Sequence, residues 1–177
     1  MFVAQLGPSH AAAFQDLRLR GLAECPTAFA SSYEEECDIP MAKVAERLAP
    51  RVDGAILGAF KQHELVGVVG LQREIPRKLS HKATLWGMYV AVDARKSGVG
   101  RALVSHALAY ADSQLQVRYV NLGVNALNVA ALSLYERHGF ERIGFESCFM
   151  LIDGEPQDEI HMALALEHAV LRQSKGF

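Results

Sequence analysis

The stretch MYVAVDARKSGVGRALVSHAL, residues 88–108, constrains the chain most. Its first half has the residues of a strand. In its second half Val99, Leu103, Ala107 and Ala111 fall four apart, with Val104, Leu108 and Leu115 widening the stripe of an amphipathic helix. Between them lies Arg95-Lys96-Ser97-Gly98-Val99-Gly100-Arg101, two glycines inside a cluster of three cations. A strand that feeds a helix through so short a turn opens a βαβ unit, here over residues 83–124, and its two strands run parallel.

The start of such a helix exposes unpaired N–H groups and carries about half a positive charge from the aligned peptide dipoles. Gly98 and Gly100 let an anion approach that backbone with no Cβ in the way, and Arg95, Lys96 and Arg101 add full charges nearby. Together these features suit a pyrophosphate. A basic exposed turn that needs glycine only for its shape would carry the same residues. A dinucleotide fingerprint is excluded, because Leu103 stands where the third glycine belongs and the glycines come past mid-chain. The G-x-x-x-x-G-K-[ST] nucleotide loop does not occur.

The rest of the chain alternates in period. Residues 2–6 read as a strand, and Pro8-Ser9-His10 opens a helix through about residue 24. A loop with one helical turn follows, then a short helix, MAKVAERLA, closed by Pro50. AILGAFK and LVGVVGLQRE form a hairpin, and HKATLWGMYVAV a third strand in which Gly87 marks a bulge or a close backbone approach. After the helix over 98–115, VRYVNLGV is a strand with few charges. NVAALSLYERHG is a helix with Asn128 as N-cap and Gly139 as the C′ residue, and a hairpin ends the chain. The expected fold is α/β, with a mixed, mostly antiparallel central sheet and helices on both faces, in one domain over residues 1–177.

Composition narrows the partners. A formal net charge of −2 gives no electrostatic reason to expect nucleic acid. No segment approaches the roughly 18 apolar residues of a membrane helix, and the first twenty or so lack a signal-peptide pattern, so a soluble, cytoplasmic protein is expected. Three scattered cysteines, Cys25, Cys37 and Cys148, fit neither a disulfide framework nor a zinc site, and no metal is expected.

At this point the sequence resembles the GNAT superfamily of acetyl-CoA-dependent N-acetyltransferases. Arg95-x-x-Gly98-x-Gly100 matches that family's [QR]-x-x-G-x-[GA] loop. Downstream, LGVNALNVAALSLYERHGF matches L-x-V-x-x-x-N-x-x-A-x-x-L-Y-x-x-x-G-F through Leu122, Val124, Asn128, Ala131, Leu134, Tyr135, Gly139 and Phe140. The two motifs stand in the family's order on the expected elements. The resemblance implies a splayed strand pair, with pantetheine pairing like an extra strand beside Met88, Tyr89 and Val90, one of whose N–H groups faces the thioester oxygen. It implies that amides of Lys96, Ser97, Gly98, Val99, Gly100 and Arg101 hold the pyrophosphate, with Arg95 beside them. It assigns Asn128 to the cofactor arm and Tyr135 to the departing thiolate, although a helix cap and core packing would explain the same two residues.

The reaction so implied is direct attack of a primary amine on acetyl-CoA, with no covalent enzyme intermediate and no role for the cysteines. The base is not legible. Some relatives that acetylate protein N-termini carry Glu between the Leu and Val of the strand before Asn128, where this chain has Gly123. Candidates are Glu74, His81, the run Glu34-Glu35-Glu36, Glu159, His161, and water. The family's acceptor side corresponds to residues 26–37 and 149–160, whose acids, Glu34, Glu35, Glu36, Glu155, Asp158 and Glu159, favour a cationic acceptor. A homodimer is left open. So are a non-catalytic acyl-CoA sensor and an enzyme that uses another phosphate-bearing cofactor.

Overall fold

The computed structural model describes residues 1–166. Seven strands form one sheet: β1 (Phe2–Gln5), β2 (Gly54–Lys61), β3 (Glu64–Arg73), β4 (Lys82–Val90), β5 (Tyr119–Asn125), β6 (Glu141–Ile152) and β7 (Glu155–Ala165), in the spatial order β1-β2-β3-β4-β5-β7-β6. Every neighbouring pair is antiparallel except β4 and β5. The helices are α1 (Ala11–Glu24), α2 (Tyr33–Glu36), α3 (Met41–Arg47), α4 (Val99–Ser113) and α5 (Val129–Glu136). A Cβ on Gly67 would touch Val99 and Leu103 of α4, whereas Gly21 of α1 lies against Tyr89, the partner of Val68. Residues 67 and 68 point to opposite faces, so α1 and α4 cover the two sides of the sheet. Among the described residues no helix is long and apolar enough to cross a membrane.

The expected elements form, with shifted ends. A 3₁₀ turn over Pro8–His10 precedes α1, so the α-helix begins at Ala11. The helix α3 stops at Arg47, ahead of the proline at 50, which forbids its predecessor the helical region in any case. The strand β4 ends at Val90: one more bond to β3, from the Ala91 N–H to the Val66 carbonyl, follows, and the chain then turns through a 3₁₀ segment, Val92–Ala94. The α4 stripe is buried as its spacing requires: Val99, Leu103, Val104, Ala107 and Ala111 are each at most 1 % exposed.

What positions the site is the brevity of the β4–β5 pairing. Only Lys82↔Tyr119, Ala83↔Val120 and Thr84↔Asn121 are in register, and beyond Thr84 the two strands part. On its other side β4 remains paired with β3, but with a bulge. Trp86 faces Gly70 and Tyr89 faces Val68, so Gly87 and Met88 together oppose the single residue Val69. Gly87 adopts φ +61°, a left-handed conformation that costs an L side chain about 1–2 kcal/mol. The bulge bends β4 away from β5 where pairing stops. Gly87→Ala should therefore lower stability by about 1–2 kcal/mol, read as a lower urea midpoint with an unchanged slope. An unmoved midpoint would contradict this role for the bulge.

Candidate active site

The gap between β4 and β5 opens toward the start of α4. Gly98, at φ +87°, is the N-cap of that helix and offers no side-chain cap. The first N–H to close an intrahelical bond is that of Ala102, to the Gly98 carbonyl, so the amides of Val99, Gly100 and Arg101 point outward from the helix end. Lys96 also takes a positive φ, 58°, and the Ser97 hydroxyl donates to the Ala94 carbonyl at 2.7 Å, which folds the loop back over the end of β4. A Cβ on Gly100 would sit 3.3 Å from both Met88 Cε and Leu134 Cδ2, so loop, β4 and α5 meet there. Arg95 points elsewhere. Its Nε donates to the Val90 carbonyl at 3.0 Å, its guanidinium lies over the Tyr89 ring, and Glu24 is 3.9 Å away. The Tyr89 side chain is buried under α1 and its hydroxyl donates to Glu24, so only its main chain is available to the gap.

Across the gap stands α5. Asn128 caps it, accepting the Ala131 N–H at 3.1 Å through Oδ1, which leaves the amide nitrogen outside the cap. The far end closes as a Schellman turn. Phe140 N–H bonds the Tyr135 carbonyl and Gly139 N–H bonds that of Glu136, which makes Gly139 the C′ residue. The apolar contact that accompanies such a turn joins Phe140 to Tyr135, edge to face at 5.7 Å. This contact fixes the tyrosine ring. Its hydroxyl donates to Met88 Sδ at 3.4 Å, so the side chain is aimed across the gap at a sulfur on β4. Burial pushes the Tyr135 hydroxyl up to about 12, and it stays protonated at any neutral pH.

The splayed strands, the segment after α1 and the last hairpin together line one cavity of about 290 Å³. Thr27 to Ser31 supply one wall, Phe149, Met150 and Glu159 another, and Gly87, Met88, Asn128 and Tyr135 the floor shared with the gap. A broader depression of about 720 Å³ lies outside, along α3, and no residue of either motif lines it. Of the six acids expected near the acceptor, Glu159 alone lines the cavity. Glu35 caps α2 through Ser32, and Asp158 accepts the Cys148 N–H. Glu36 is buried between Arg18 (2.9 Å) and Arg47 (3.0 Å). Burial works to raise the Glu36 carboxyl, yet the hydrogen bonds and charges of the two arginines outweigh it and hold the group below its ordinary value. A carboxylate so paired is a poor proton acceptor. Glu74 accepts the Thr84 hydroxyl and His81 packs edge-on against Tyr119, both at the paired end of β4 and β5 and neither lining the cavity.

Glu159 has a specific position. A Cβ on Gly123 would coincide with its carboxylate, so an acid carried by β7 fills the space where a side chain on β5 would begin. Its side chain is 13 % exposed, with His161 Nδ1 3.6 Å from Oε1, and His161 Nε2 is 3.0 Å from the exposed Glu146. Burial raises the Glu159 carboxyl above its ordinary value; His161 opposes that and Glu146 adds to it.

Sequence reasoning missed Arg18. It lies within the buried stripe of α1, between Leu17 and Leu22 and beside Phe14, and lines the same cavity. A charged residue at a stripe position was the signal that could have found it.

Known proteins agree with this architecture. Residues 22–140 match the model of the Acetyltransferase (GNAT) family. The chain is 30 % identical over 118 residues to the L-amino acid N-acetyltransferase AaaT of Escherichia coli (strain K12), covering 67 % of this chain and 72 % of that protein. Its fold superposes on a GNAT-family acetyltransferase from Streptococcus pneumoniae with a TM-score of 0.81 at 21 % identity, over 93 % of this chain and 98 % of that one. The TM-score is 0.83 against a GNAT phosphinothricin acetyltransferase from Sinorhizobium meliloti in complex with AcCoA, at 16 % identity over 96 % and 90 % of the two chains. The glycine loop on α4, the splayed strands and the α5 motif thus sit in a chain that belongs to the GNAT family of acetyltransferases.

Proposed function

We propose that this enzyme transfers the acetyl group of acetyl-CoA directly to a primary amine, with the thioester lying in the β4–β5 gap and the diphosphate on the amides of residues 96–101. The observation that carries this reading is the alignment of three things along one gap: outward amides at the start of α4, the edge of β4 at Met88 to Val90 that β5 leaves without a partner, and a protonated tyrosine facing them. The residues fit the group, because no neighbour stands where a Cβ on Gly98 would be, and Gly100 lets the loop pack closely on Met88 and Leu134. Met88 to Val90 would offer main-chain groups to the pantetheine arm, with an N–H toward the thioester oxygen as negative charge grows there. Lys96 and Arg101 would add charge at the diphosphate, and the Asn128 amide would reach the arm. Arg95, turned toward Val90 and Glu24, would buttress the loop from behind. The relative named for L-amino acids supports a small-molecule acceptor.

In this reading Glu159 takes the proton of the attacking amine. The Glu159 carboxylate first takes one proton from the bound ammonium, which frees the nitrogen lone pair, and passes it out by His161 and Glu146. The nitrogen then bonds the carbonyl carbon, the carbon–sulfur bond breaks to release the CoA thiolate, and the second N–H proton leaves by the same route. Tyr135 donates a hydrogen bond to the departing sulfur. Burial raises the Tyr135 hydroxyl above its ordinary value, already higher than that of a simple thiol, so donation without proton transfer is its contribution. Proximity of the two reactants supplies much of the remaining acceleration.

Thiol release from acetyl-CoA in the presence of amines tests the proposal. Tyr135→Phe should lower kcat about tenfold or more while leaving CoA affinity within about twofold by calorimetry. An intact kcat would remove Tyr135 from the reaction. Glu159→Gln should cost about 100-fold in kcat/KM for the amine at pH 7, with the deficit shrinking as pH approaches the amine's own pKa and free amine becomes abundant. An equal rate at pH 7 would exclude Glu159 as the base.

A further inference from the structure

Two buried side-chain atoms among the described residues have no hydrogen-bond partner, Gln15 Oε1 and Arg18 Nη1, and of these residues only Arg18 lines the cavity. The Arg18 side chain is 9 % exposed. Its other arm is taken: Nη2 donates to Glu36 Oε1 at 2.9 Å and lies 3.4 Å from Ser31 Oγ. The guanidinium sits over the Phe29 ring, 4.7 Å from its centre, a contact that fixes its plane but uses none of the in-plane N–H groups of Nη1. A buried N–H of a charged group without a partner is costly. The first atom an added Cβ on Gly87 would meet is Nη1, at 3.7 Å, so the bulge of β4, itself part of the cavity lining, presents backbone and no side chain to the free arm.

Glu36 divides its one carboxylate between Arg18 and the half-exposed Arg47, which does not line the cavity, so Arg18 is incompletely balanced beneath the α1 side. It is the one cation, and Glu159 the one acid, among the cavity-lining residues. On the β7 side stands Glu159, with His161 and Glu146 behind it. The cavity is therefore cationic on one wall and anionic on the other.

We propose that Arg18 Nη1 binds a carboxylate of the acceptor, so that the substrate class is an amine that also carries a carboxylate, as a free amino acid does, with its ammonium toward Glu159. This rests on the acetyl-transfer reading and replaces the purely cationic acceptor that the local acidity suggested. A planar guanidinium with one arm held by Glu36 and the other without a partner is suited to a carboxylate and unsuited to a polyamine.

The test uses the intact protein, acetyl-CoA and matched acceptors: the common L-amino acids, their amides, the corresponding decarboxylated amines, spermidine and an alanine-terminated hexapeptide. For the best side chain, kcat/KM should be at least about tenfold higher for the amino acid than for its amide or decarboxylated amine. Arg18→Lys keeps a cation beside Glu36 and removes Nη1, and in that variant the preference should fall to within about twofold. Should that variant not fold, the wild-type series alone decides the matter. Equal use of the three matched compounds, transfer only to spermidine or the peptide, or an undiminished preference in folded Arg18→Lys would each overturn the inference and spare the transferase reading. Transfer to none of these amines would overturn that reading and the inference with it.

Discussion

Three residue pairs hold β4 to β5, and the site depends on there being so few. A parallel pair that continued in register would close the sheet and leave no edge for a ligand to join. The bulge at Gly87 and Met88 prevents this from within β4, since two residues there span one on β3 and the strand turns as it passes Trp86. Main-chain groups that would have met β5 face a cavity instead. The fold thus opens its candidate site by interrupting its own hydrogen-bond ladder, and the helices α4 and α5 bring charge and a hydroxyl to the two ends of the interruption.

Around this gap the molecule uses side chains from distant elements in a division that the topology enforces. Strand β7 is inserted between β5 and β6, so the last hairpin delivers Glu159 to the face above Gly123. An acid one strand away can then fill the space that β5 leaves bare. On the opposite side α1 carries Arg18 beneath the cavity, and α2 and α3 supply Glu36 and Arg47 to hold it. A buried ion pair of this kind adds little net stability against an apolar alternative, because desolvation of the charges offsets their attraction. What the triad does provide is a fixed guanidinium orientation, and that is the property a binding site needs.

Much of this was legible in the sequence. The helical stripe from Val99 to Ala111, the glycine-bearing turn before it and the run from Leu122 to Phe140 are local patterns, and local patterns survive without a structure. Gly87 could be read as a bulge or a close backbone approach because a glycine inside a strand has few other uses. The acids are not legible in this way, for the opposite reason. Glu34, Glu35 and Glu36 look alike in sequence, yet one lies between two arginines and another caps a short helix through Ser32. Burial and pairing across 11 or 18 positions leave no local trace. Arg95 likewise reads as part of a cationic cluster, but folds back onto Val90 and Tyr89. The choice of Glu159 over Glu74 or His81 rests on which strand ends lie beside the gap, and only the order of the sheet tells that.

The most direct measurement is a crystal structure of the protein grown with acetyl-CoA. The account predicts diphosphate oxygens on the main-chain N–H groups of residues 96–101, the pantetheine running along β4 from Val90 toward Gly87, and the thioester sulfur within reach of the Tyr135 hydroxyl. A coenzyme bound along α3, or a gap that stays filled by Met88 and Tyr135 while the coenzyme lies elsewhere, would contradict it.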